Sequence, residues 1–402
     1  MATLVHDLDL PEIDMMNIER RIDRTAFQEH RGDHWLMKNM FGYGVSRYDD
    51  VVAILRDRRW HSALAAMPDM AVEGRNGEGS ILTMEGPNHS RLRRLAAPAF
   101  TPKAADRLRP FMREVVNGLV DAFAAAGRCE LVADVCEPYP IPIICELLGA
   151  PKEDWKLFSN WATDIFRIFN NDIANDGPKI AAAGAELDAY VRELIAERRS
   201  KPSEDLLSDM IAAEEAGDRM STDELVMMSE AVLMAGTDTT RNQLACAVAL
   251  FTEHPDQWAL LAEQPELAPR AVEECMRVLG AVSGTARIAS EDIEYRDVLF
   301  PQGTIVGTSL ANANFDDAVF DDAFTFDISR ESGSPQMTFG SGIHFCMGAN
   351  LARAELQEAL PLLARRLSNL STYAPIEWKP ANIGIWGPAK LPLTFTPEAA
   401  AS

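Results

Sequence analysis

The decapeptide FGSGIHFCMG, residues 339–348, sets Cys346 among Gly340, Gly342 and Gly348, with His344 two positions before it. A thiol in such a loop is equipped to act as a thiolate ligand. The glycines let backbone N–H groups point at the sulfur and let a flat ligand come close. The run that follows, Gly348-Ala-Asn-Leu-Ala-Arg-Ala-Glu-Leu, opens an amphipathic helix whose N-terminal dipole also favours a thiolate. A buried, inert cysteine accounts for this loop equally well on its own residues. A second chemical pair is Asp238-Thr239, where a carboxylate and a hydroxyl can order water or move a proton; a threonine that merely bonds its own helix is the alternative. His89 and Arg93 lie four apart on one helix face, and both can reach a carboxylate. Glu274 and Arg277, three apart, read by themselves as a surface ion pair worth about 0.3 kcal/mol. Arg91 and Arg94 read as solvated.

The pattern around these residues is helical. Residues 104–126, 151–169, 179–199 and 266–279 carry apolar side chains at three-and-four spacing. Ser221-Thr-Asp-Glu224 fits a capping box, and the helical pattern after it runs to about Phe251, before Pro255. That helix of about 30 residues spans roughly 45 Å. Its middle, Ala235-Gly-Thr-Asp-Thr-Thr240, is poor helix material, which marks a functional stretch. Short strand-like runs stand at 43–46, 293–306 and 390–396. The expectation is a mainly α fold with small β-sheets and one long central helix, with residues 1–402 as a single domain.

Composition narrows the function. The chain has 402 residues, 47% hydrophobic and 25% charged, which are ordinary globular values. A net charge of −23 argues against nucleic acid or an anionic membrane surface as a partner. The six cysteines form no CxxC pair, and residues 1–21 carry Asp7 and Asp9 but no run near the ~18 apolar residues that cross a bilayer. A reducing, cytoplasmic location without a membrane anchor is expected.

Four motifs in order resemble those of the soluble bacterial cytochrome P450 family. FGSGIHFCMG matches the family's haem-ligand loop at every defined position, Glu274-Cys-Met-Arg277 its Glu-x-x-Arg, Ala235–Thr240 its oxygen-activation segment, and His89-Ser-Arg-Leu-Arg93 its haem-propionate helix. The resemblance implies a cytochrome P450 fold holding haem b, with Cys346 as the iron ligand and His89, Arg93, Arg287 and His344 around the propionates. It implies that Asp238 and Thr239 deliver protons to dioxygen, and that Glu274, Arg277 and Arg330 brace the chain ahead of the haem loop. Met234, Ala235, Val282, Ser283 and Ile385 are the implied walls of an apolar substrate pocket; Ile165, Phe166, Ile168 and Phe169 read equally well as a mobile roof or as ordinary core packing. Two departures stand out. Gly280, Ala281 and Gly284 follow Arg277 where the family usually has proline, which predicts a flexible or roomy loop. Ala311-Asn-Ala-Asn-Phe replaces the common Ala-Asn-Arg-Asp-Pro, leaving the local turn open.

The implied activity is monooxygenation: one atom of O2 enters the substrate by hydroxylation or dealkylation. A peroxide-using peroxygenase and a non-catalytic haem-thiolate sensor are the alternatives, and the intact Asp238-Thr239 pair speaks against both. Without a nucleotide fingerprint or cysteine cluster of its own, the chain needs a separate electron donor, a ferredoxin. Arg91, Arg93, Arg94, Lys103, Arg107, Arg109 and Arg113, against the single acid Asp106, make a basic run suited to an acidic partner.

Overall fold

The structure, a computed structural model, describes residues 2–14, 34–66, 80–165, 167, 173–215, 220–331, 333–380 and 385–397. Phe166, Ile168 and Phe169 of the expected roof lie outside the described residues.

The long helix runs from Thr222 to Glu253 without interruption. It starts where the capping box places it: Ser221 Oγ accepts from Glu224 N–H at 3.1 Å, and Glu224 Oε2 accepts from Ser221 N–H at 2.7 Å. Arg91 adds two donations to the same carboxylate, at 2.9 and 3.2 Å, so it is an ion-pair partner and not the solvated residue expected. From Asn242 to Phe251 every residue is buried, and a helix apolar all round must be enclosed by others. The helices Pro140–Leu148 and Ile173–Ser200 pack on it, as do Ala268–Val278 and Ala349–Arg366. Gly236 is required by one of these contacts: a Cβ there would stand 2.4 Å from Ile144 Cδ1. The weak middle of the helix is thus a close helix–helix crossing as well as a polar stretch.

The helix after the cysteine loop, Ala349–Arg366, is clamped between Pro102–Asp121, Pro255–Glu263 and Ala268–Val278. Leu356, Ala359, Leu360 and Leu363 on it are buried, each of the leucines contributing about 1.5–3 kcal/mol by leaving water. The loop is therefore anchored at its C-terminal end by the core itself. Among the described residues no helix is long and apolar enough to cross a membrane.

The sheets are peripheral. A five-stranded one runs in the order 36–39, 42–45, 305–309, 284–289, 60–62, with 42–45 and 305–309 parallel and the other neighbours antiparallel. Glu377–Trp378 pairs with Pro388–Lys390 in a two-stranded hairpin, whose Trp378 and Trp386 rings stack 4.6 Å apart at 7°.

The loop expected to be roomy is tight. A Cβ on Gly280 would meet Thr338 Oγ1 at 2.6 Å and Met276 O at 2.9 Å, and one on Gly284 would meet Thr308 O at 2.9 Å. These glycines are there for close approach, not for motion. The Asn314 turn is equally fixed, since Asn314 Oδ1 accepts from Met337 N–H at 2.6 Å and its amide donates to Thr338.

Candidate active site

The loop around Cys346 owes its shape to two glycines. Gly340 and Gly342 sit at φ +70° and +74°, and a Cβ on Gly342 would collide with Leu55 O. Gly348 has ordinary backbone angles, and its part is different: it is the N-cap of the helix that follows. Cys346 N–H donates to Phe339 O at 3.0 Å, which closes the loop on itself. Burial pushes the Cys346 thiol up, while the Gly348 N–H and the Arg93 and Arg353 guanidiniums oppose that rise. The other five cysteines are fully buried. Cys129, Cys145 and Cys246 are pushed up to about 12, and Cys136 and Cys275 well above the ordinary thiol range. Cys346 alone is partly exposed and has cations beside it.

Next to the loop lies a cluster of buried cationic and imidazole groups. His89 is 1% exposed, lies against His344 with ring centroids 4.5 Å apart and planes tilted by 47°, and has no hydrogen-bond partner on either ring nitrogen. Burial, with His344 and Arg93 nearby, depresses it to about 4, so it is a neutral ring with one N–H donor to place. Arg287 is also buried, and its Nη1 donates only to Thr285 Oγ1 and Ala286 O. Arg93 Nη2 donates to Phe345 O at 2.7 Å. His344 Nε2 lies 2.9 Å from Glu85 Oε1. Buried donors left over in this way fit an anionic ligand with more than one carboxylate, as haem has. The residues present therefore fit the prosthetic group that the sequence implies.

On the central helix, Ala235 is exposed and Met234 and Thr239 are half-buried, although the helix is otherwise sunk in the core. Ala235 and Thr239 are four apart, hence on one face, and that face borders open space. Thr239 Oγ1 donates to Ala235 O at 2.6 Å. The bond expected of a merely structural threonine is present, and it leaves the hydroxyl's lone pairs free to accept. Asp238 is buried and faces elsewhere, accepting from Arg241 Nε at 2.5 Å and from the Asn242 amide at 3.1 Å. Of the implied pocket walls, Val282 and Ile385 form an isolated antiparallel bridge, and Ser283 O accepts from Ala311 N–H.

Glu274, Arg277 and Arg330 come together. Arg277 donates to both Glu274 oxygens at 2.8 Å, and Arg330 Nε to Oε1 at 3.1 Å. Arg277 also donates to the carbonyls of Asn314, Ala323 and Thr325. The pair is buried and tied to the segment before the loop, so removing one partner costs about 3–5 kcal/mol instead of surface-pair values.

One residue of the site escaped the sequence reading. Glu355, 1% exposed, accepts from Thr240 Oγ1 at 3.2 Å on one oxygen and has no partner on the other. It is four residues after Leu351 and four before Ala359, an acid on the buried stripe of its helix, and that spacing was the available signal. Burial pushes its carboxyl up to about 8, against about 4.3 for an exposed glutamate. The folded chain then holds a proton that the unfolded chain releases between those values. Stability is greatest below the unfolded value and falls as pH rises towards about 8. Glu355→Gln is expected to flatten that fall when melting temperature is followed from pH 5 to 8; an unchanged slope refutes a protonated Glu355.

The fold and the residues around Cys346 fit a haem protein, and a sequence model of the family Cytochrome P450 matches residues 146–372. The chain belongs to the cytochrome P450 family. It is similar to nocardicin C N-oxygenase of Nocardia uniformis subsp. tsuyamanensis, 40% identical over 87% of this chain and 89% of the relative. Mycinamicin IV hydroxylase/epoxidase of Micromonospora griseorubida is 37% identical over 87% and 89%. Among solved structures, CalO2 superposes with a TM-score of 0.89 at 31% identity, covering 97% of this chain and all of that one. The chain is thus an oxidoreductase of the P450 monooxygenase class.

Proposed function

We propose that this enzyme binds haem b through Cys346 and inserts one atom of O2 into an apolar organic substrate, by hydroxylation or dealkylation, while the other atom leaves as water. Two electrons and two protons complete the balance. The buried ring of His89 carries this reading, because neither of its nitrogens has a hydrogen-bond partner. Bound haem, with thiolate ligation, supplies the centre for O2 reduction and O–O cleavage.

The protein's residues then have separate tasks. His89, Arg93, Arg287 and His344 hold the carboxylates, and Glu274, Arg277 and Arg330 keep the preceding segment in place. Thr239 accepts a hydrogen bond on the open side of the central helix, and Asp238 passes protons inward from the Arg241 side. Met234, Ala235, Val282, Ser283 and Ile385 line the pocket. The chain acts as one domain in a reducing cytoplasm, which its six free cysteines suit. The test is product formation under ¹⁸O2 from a panel of steroids, terpenes, fatty acids, polyketides, amines and small aromatics, chosen by optical titration of the oxidised enzyme. One ¹⁸O per hydroxylated product is expected, or one in the carbonyl fragment released by dealkylation when that fragment is trapped before it exchanges with water; a hydroxylated product whose new oxygen comes from water refutes monooxygenation.

Electrons come from a separate ferredoxin. The basic run reads differently in three dimensions, however. Arg109 pairs with Asp106 and Glu358 and bonds Gln357, Arg113 pairs with Glu358, and Arg91 with Glu224. Lys103 is exposed. Lys103→Glu is therefore expected to slow reduction by an acidic ferredoxin at low salt more than Arg109→Glu does. The difference should shrink at physiological salt, where screening acts over about 8 Å. Equal rates for wild type and Lys103→Glu at low salt remove this surface from docking.

A further inference from the structure

Asp238 is held by a network that reaches the far end of the chain. Asn242, one turn along the helix, donates to Asp238 Oδ1 at 3.1 Å and to Asp238 O at 2.7 Å. Its own Oδ1 accepts from Lys379 Nζ at 2.8 Å. Lys379 belongs to the Glu377–Lys390 hairpin, is half-buried, and feels the Asp238 charge. The hairpin sits hard on the central helix: a Cβ on Gly387 would stand 3.0 Å from Asn242 Oδ1, and Cys246 donates weakly to Trp386 O. It also carries Ile385, bridged to Val282 at the pocket wall, while Trp386 N–H donates to Ala281 O.

From this geometry we propose that Lys379 is a positioning residue for proton transfer: through the Asn242 amide it fixes the direction in which the Asp238 carboxylate points. Asn242 has a single orientation in which both bonds are made, because its oxygen must face an ammonium and its nitrogen a carboxylate. Lys379 anchors the oxygen end of that amide, while Asp238 O and Oδ1 hold its nitrogen end. Take the ammonium away and the amide is held at one end only, so its bond to Asp238 Oδ1, the longer of the two, is less fixed in direction.

The proposal rests on Asp238 carrying protons, and a double-mutant cycle separates the two. Lys379→Met, Asp238→Asn and the double variant are compared for product formed per electron consumed, with the carbon-monoxide spectrum and melting temperature as controls for loading and folding. Lys379→Met is expected to lower that ratio about three- to tenfold. It should have no further effect in the Asp238→Asn background, and Lys379→Arg should restore most of the loss. An equal effect in both backgrounds, or failure of arginine to rescue, overturns the role of Lys379 while leaving that of Asp238 standing. A fully coupled Asp238→Asn overturns both. If Lys379→Met folds poorly, Lys379→Gln and the arginine variant carry the same comparison.

Discussion

Cys346→Ser is expected to abolish the thiolate-type Soret band of the reduced, carbon-monoxide-bound protein completely. No other sulfur can take over. The remaining five cysteines are fully buried, and burial holds their thiols protonated far above neutral pH. A serine at 346 keeps the loop, because Gly340 and Gly342 still set its backbone and the Cys346 N–H bond to Phe339 O needs no side chain. The substituted protein should therefore fold, and its melting temperature is the control. Cys246→Ser, deep under the hairpin, should leave the band unchanged. A band that persists in Cys346→Ser, or vanishes in Cys246→Ser, assigns the ligand elsewhere.

The second large effect is expected at Thr239. With its proton committed to Ala235 O, the Thr239 hydroxyl offers the open space an acceptor. Thr239→Ala removes that acceptor and leaves Asp238, Asn242 and the cation cluster in place. Acid–base contributions of this kind are worth about 10²–10⁴-fold. Product per electron should fall towards the lower end of that range while the electron donor is still consumed, and the missing oxygen should appear as hydrogen peroxide. A helix-packing role for Thr239 predicts a lower melting temperature and poorer loading with the ratio unchanged. Measuring product, peroxide and electron consumption together separates the two, and a fully coupled variant ends the assignment.

What was legible in the sequence was local. The capping box at Ser221 and Glu224 uses residues three apart, and the structure starts the helix there. The glycines around Cys346 and the spacing of Glu274 and Arg277 are equally short-range signals. Pairings across the chain were not legible. Arg109 and Arg113 read as a free basic surface because Glu358, which neutralises both, lies about 250 positions downstream. Lys379 is 137 residues from Asn242, and no local pattern links them. Gly280 and Gly284 show a different ambiguity. A glycine is equally the residue of a loose loop and of a close crossing, and the Thr338 and Thr308 atoms that decide the matter are supplied by other segments.

The stacked indoles of Trp378 and Trp386 give this protein a built-in optical gauge. Two identical chromophores 4.6 Å apart couple their electronic transitions, and the coupling depends steeply on separation and angle. Both rings lie on the segment that holds Lys379 and Ile385, so a change in their spacing or tilt would alter the near-ultraviolet circular dichroism of an unlabelled sample. A rearrangement there is thereby readable in real time without an attached dye.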